Sequence, residues 1–157
     1  MYNVYNIYIY IHKLGWLRSQ CIVDSFGTFD YMFGMNQRLP GISNLATSCR
    51  GTNTLIPLSK TTNVPIDTCF IKGQEQLLVD KIMKMTTGKV VVCWQHLNLA
   101  TLASFLGVRN VPAFPDVFDV IWTIKGGTIT VTKEPAACSF PVDGIIIYII
   151  YIYMLIN

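Results

Sequence analysis

Arg50 and His96 are the residues whose type and setting in this chain point to chemistry. Val90-Val91-Val92-Cys93-Trp94 is a continuous apolar run, as in a strand covered on both faces of a parallel sheet, and His96 follows it after one residue. Asn98 is placed to cap the helix that comes next. There Leu99, Leu102, Ala103 and Leu106 fall at i, i+3, i+4 and i+7 before Gly107 stops the pattern. Arg50 has a similar setting. A short aromatic strand over 29–33 leads into a long polar loop with Gly34, Pro40 and Gly41, and Arg50 comes just before a helix predicted to start near Thr52. In a parallel α/β sheet such loops gather at the carboxyl ends of the strands, where ligands bind. Helix starts present N–H groups that favour anions. Arginine adds a planar fork suited to phosphate oxygens, and histidine adds a titratable donor. The ligand matching that set is a phosphate. A lone histidine after a strand is also commonly a hydrogen-bonded structural residue, and a loop arginine a solvated one, so the spacing leaves both roles open.

The elements that must position these residues alternate between helix and strand. A helix is predicted over 16–26, with Leu17, Cys21 and Asp24 near one another and Gly27 as its stop. Residues 52–62 form a second helix with Leu55, Ile56 and Leu58 toward the core, although Pro57 removes a backbone donor and should kink it. Residues 64–67 are extended. Residues 74–85 form an amphipathic helix with Leu78, Ile82 and Met85 at i, i+4 and i+7. Residues 118–125 and 128–132 make a β-hairpin around Gly126-Gly127. The fold class that follows is α/β, a mostly parallel sheet flanked by helices.

Composition sets both ends of the chain apart. Seven of the eight tyrosines lie in 1–12 or 144–157, and neither stretch holds a Lys, Arg, Asp or Glu. Ile7-Tyr8-Ile9-Tyr10-Ile11 and Tyr151-Ile152-Tyr153 are what an in-frame TATATA repeat encodes. Residues 1–13 and 144–157 are therefore expected to be spurious extensions of one domain over 14–143. They also account for much of the 52% hydrophobic content and the mean hydropathy of +0.42. The apolar run over 145–156 is short for a spanning helix, which needs about 20 residues. Its Ile/Tyr make-up suits a sticky, aggregation-prone strand better. The start of the chain lacks the basic region and cleavage site of a signal peptide, so a cytoplasmic protein is expected, with membrane attachment through the tail as the minor alternative. A net charge of +3 argues against a nucleic-acid partner. The five cysteines (Cys21, Cys49, Cys69, Cys93 and Cys138) have no metal-ligand spacing, and only His12 and His96 accompany them. No metal and no cofactor are expected, and the thiols read as unbridged and mostly buried in a reducing compartment.

Several segments resemble one family. Residues Val90-Val91-Val92-Cys93-Trp94-Gln95-His96-Leu97-Asn98-Leu99, followed by Leu106-Gly107-Val108, resemble the second-histidine motif of the histidine phosphatases, the phosphoglycerate-mutase-like superfamily. The likeness is to its small branch with a Trp-x-His motif. Ser48-Cys49-Arg50-Gly51-Thr52-Asn53-Thr54, with Pro57-Leu58 after it, is similar to the family's Ser-x-Arg-Ala-x-x-Thr segment, where that proline is usual. Leu14-Gly15-Trp16-Leu17-Arg18-Ser19 looks like the Gly-x-x-Arg-Ala start of the family's first long helix, and Pro115-Asp116-Val117-Phe118-Asp119-Val120-Ile121-Trp122 like the branch's closing strand. The resemblance covers 14–138.

It implies a phosphoryl-transfer pocket at the strand ends, in which a nucleophilic histidine forms a phosphohistidine while a second histidine and two arginines hold the phosphoryl oxygens. Arg50 would match the later arginine and His96 the second histidine. No Arg-His-Gly, the family's nucleophile motif, occurs in the chain. His12 is flanked by Ile11 and Lys13 in place of Arg and Gly, and it is nearly adjacent to the Gly-x-x-Arg segment, so its likeness to the nucleophile is a coincidence. No nucleophile is assigned, and the fold is expected to be incomplete, its first strand lost with a missing first exon or mimicked by residues 4–11. The general acid is not identified either; Glu75 and Asp67 are candidates because acids are few. The expected function is that of a histidine-phosphatase-family protein inactive in phosphomonoester hydrolysis, with a phosphorylated small molecule or phosphate ion as partner. The alternatives are a non-catalytic phosphate-binding pseudoenzyme and a small membrane-associated protein.

Overall fold

The computed structural model describes residues 20–21, 23, 27–35, 50–85, 87–113, 120–133 and 148–154. Nine elements follow in chain order: β1 (Tyr31–Gly34), α1 (Arg50–Thr62), β2 (Ile66–Asp67), α2 (Glu75–Met83), β3 (Gly88–Trp94), α3 (His96–Phe105), β4 (Val120–Lys125), β5 (Thr128–Lys133) and β6 (Tyr148–Met154). The predicted helix over 16–26 falls mainly outside the described residues, as does the suggestion that residues 4–11 stand in for a first strand.

The apolar run of β3 is covered on both sides, as a parallel-sheet strand requires. Val90, Val92 and Trp94 join Phe33, the inner face of α2 (Leu78, Val79, Ile82) and that of α3 (Leu99, Leu102, Ala103) in one core. Val91 and Cys93 face the other way, with Met32, Leu55 and Leu58, so α1 covers the opposite face. Helices thus flank the sheet on both faces. Pro57 lies inside α1, which nevertheless runs unbroken from Arg50 to Thr62.

The sheet has six strands in the order β2-β1-β3-β6-β4-β5. β2, β1 and β3 are parallel neighbours, with Phe33 beside both Asp67 and Val92. This is the α/β block that the alternating pattern predicts. Beyond it the sheet is mixed, although three of its five pairings are parallel, as expected. The neighbour of β3 on its other side is β6, which runs antiparallel to it with Val91 opposite Tyr151. β6 is parallel to β4, and β4 forms the hairpin with β5. The Ile/Tyr segment set apart by composition is therefore, over Tyr148–Met154, a strand within the sheet. β-branched and aromatic residues favour that state.

The hairpin is as predicted: Gly126 and Gly127 have φ of 55° and 73°, the left-handed pair that a tight two-residue turn demands, and Lys125 faces Thr128. At the amino edge Asp30 ties β1 to β3. Its N–H donates to Lys89 O at 2.9 Å, and its carboxylate accepts from Lys89 N–H at 2.7 Å.

Candidate anion site at the carboxyl edge of the parallel strands

Contacts place all three helix starts at the carboxyl edge of the parallel strands: Thr52 of α1 meets Met35, Glu75 of α2 meets Trp94, and α3 follows β3 after one residue. Arg50 is the first residue of α1, two residues earlier than predicted, and His96 is the first of α3. Both residues are therefore helical.

Local contacts fasten the first described turn of α1 to the sheet. Thr52 Oγ1 donates to Met35 O at 3.0 Å, fastening the first turn to the end of β1. Gly34 lies under that turn; a Cβ there would stand 2.6 Å from Thr52 Oγ1 and 3.0 Å from Thr52 Cα. Gly51 rests on β3, where a Cβ would stand 2.8 Å from Cys93 O. Two glycines thus let the α1 start settle onto the ends of β1 and β3, three residues before His96.

The α3 start differs from expectation. Asn98 is not its cap. Gln95, extended at φ −71° and ψ 132°, is the boundary residue and makes no side-chain capping bond. Asn98 lies inside the first turn, its N–H donating to Gln95 O at 3.0 Å, because the helix begins as soon as Trp94 has left the sheet. Its side-chain Oδ1 is buried and has no hydrogen-bond partner among the described residues.

The three helix starts are not equivalent. α2 carries its own anion: Glu75 lies in its first turn and is buried, 5% exposed, with Oε1 accepting from Gly73 N–H at 3.1 Å and from the Trp94 indole N–H at 3.0 Å. α1 and α3 have no acidic residue in the first turn. These two helices, without a carboxylate of their own to meet the positive end of the dipole, are the ones whose first described residues are Arg50 and His96.

The two candidate acids are both engaged. Glu75 is the hydrogen-bond acceptor just described. Asp67 ends β2 and accepts from Cys69 N–H at 2.9 Å and from Lys81 Nζ. Burial pushes its carboxyl up, but the Lys81 and Cys69 bonds outweigh that and hold it below its ordinary value. A carboxyl so held does not keep a proton for a leaving group. The Lys81 ammonium also lies 5.9 Å from the Phe33 ring centroid and 5.7 Å from that of Phe70.

Cys69 is exposed, and its bond to the Asp67 carboxylate raises its thiol above the ordinary value, away from thiolate chemistry. Cys93 is buried as expected, whereas Cys21 is disulfide-bonded, so the reading of all five cysteines as unbridged does not hold. Among the described residues no group of three or more His, Cys, Asp or Glu could hold a metal ion, and no helix is long and apolar enough to cross a membrane. Sequence reasoning missed the Glu75–Trp94 pair, and nothing in either segment's periodicity signals it.

No protein-family model, curated protein or solved structure matches this chain.

Proposed function

We propose that the carboxyl edge of β1 and β3 binds phosphate or a phosphomonoester between the starts of α1 and α3, with Arg50 and His96 as its binding residues, in a protein of the histidine-phosphatase type. The observation that carries the reading is the seating of Gly51 on the Cys93 carbonyl, which brings the arginine-led helix start against the strand that leads to the histidine-led one. Two helix starts without acidic residues, one led by a guanidinium and one by an imidazole, supply the donors and positive potential that a phosphate dianion needs. Hydrolysis through a phosphohistidine requires a nucleophile that the sequence does not supply, since Arg-His-Gly is absent. The protein is therefore a binder of phosphate groups, with turnover absent. The fold assigned to it is phosphoglycerate-mutase-like, and its place is the cytoplasm.

Calorimetric titration with inorganic phosphate tests this reading. Saturable one-site binding is expected, weakened about tenfold or more by Arg50→Ala and by His96→Ala, since charge-assisted hydrogen bonds contribute roughly 1.5–3 kcal/mol each. p-Nitrophenyl phosphate should compete for the site without being hydrolysed. Wild-type protein that shows no saturable uptake would refute the reading.

A further inference from the structure

We propose that Glu75 is the positioning residue of this anion site, fixing through Trp94 the turn from which His96 begins α3. The inference rests on the phosphate reading above. Glu75 is one of two polar or charged side chains that are buried among the described residues, the other being Thr54. A buried carboxylate is retained only where its oxygens are satisfied, and this one has two specific donors. One is the Gly73 N–H, in a turn whose positive φ of 91° favours glycine. The other is the Trp94 indole, which is 3% exposed and ends β3.

The bond to Trp94 joins residues 19 positions apart and ties the start of α2 to the last residue of β3. Only Gln95 separates Trp94 from His96. Gln95 has no side-chain cap with which to fix the α3 start by itself. With the indole anchored at both its apolar face and its N–H, the direction in which the chain leaves β3 is set.

The test compares Glu75→Ala, Glu75→Gln and Trp94→Phe in the full chain, with inorganic phosphate as the probe. Glu75→Ala removes the acceptor, and Trp94→Phe removes the donor while keeping a ring in the core. Each is expected to weaken phosphate binding about tenfold, the effect of leaving one buried polar partner unpaired, and the double variant should lose little more than either alone. Glu75→Gln keeps an oxygen acceptor and should restore affinity to within about threefold, which a requirement for charge would not allow. Ile124→Ala, in the same core but on β4, should lower the melting temperature at least as much and leave phosphate affinity unchanged. Wild-type affinity in Trp94→Phe, or failure of Glu75→Gln to rescue, overturns the positioning role while phosphate binding itself survives. Absence of phosphate binding in the wild type overturns the site.

Discussion

At the scale of single residues, the candidate site depends on a close backbone approach at Gly51. Gly51 is helical, where alanine would ordinarily gain about 1 kcal/mol over glycine. Here a Cβ would meet the Cys93 carbonyl at 2.8 Å, and a backbone atom has little freedom to retreat. Gly51→Ala is therefore expected to destabilise the protein by about 1–3 kcal/mol in urea denaturation and to weaken phosphate binding. A rise in the urea midpoint would show that the α1 start is not pressed onto β3.

Asp67 gives a pH-dependent test. Its carboxyl is lowered in the folded protein from an ordinary value of 3.8, so it contributes stability in full above that value and loses it as pH falls through the folded one. Lys81 and Asp67 side chains are 46% and 22% exposed, so solvent screening keeps the contribution below about 1 kcal/mol. Wild type should be more stable than Asp67→Asn at pH 7, and urea midpoints of the two should converge as the pH drops below 3.8. A gap that persists at pH 2 would mean that the pair contributes through something other than charge.

At the scale of elements, periodicity was legible and termini were not. β3, α2 and the β4–β5 hairpin are where the apolar runs and the Gly-Gly pair place them, because burial on one face or two writes a period into the sequence. The starts of α1 and α3 escaped by two or three residues. They are decided by contacts distant in sequence, such as Thr52 to Met35 and Gly51 to Cys93, which no local pattern encodes. The same holds for Glu75 with Trp94.

The hairpin turn allows a separate check. Gly126 has open space around it but a φ of 55°, so any penalty there is conformational. Gly126→Val should cost about 1–2 kcal/mol in thermal unfolding, whereas Gly126→Asn should cost much less. Equal effects would exclude the left-handed turn.

At the scale of the whole molecule, the β4–β5 hairpin is joined to the parallel block through β6. Tyr148–Met154 pairs along its length with β3 and over Ile149–Tyr153 with β4, and no pairing of β3 with β4 exists among the described strands. Removal of residues 148–157 is expected to abolish the single cooperative urea transition, because it leaves the edges of β3 and β4 open. A shortened chain that unfolds as sharply as the whole would show that the domain does not need the Ile/Tyr segment, as its composition alone suggests.

The central claim is that one anion site is shared by two helix starts. Backbone amide NMR during an inorganic phosphate titration tests it most directly. Residues Gly51 and Thr52 of α1 and Leu97 and Asn98 of α3 are expected to shift together along one saturation curve, while amides of the β4–β5 hairpin stay still. Shifts confined to one helix start, or none at either, would contradict it.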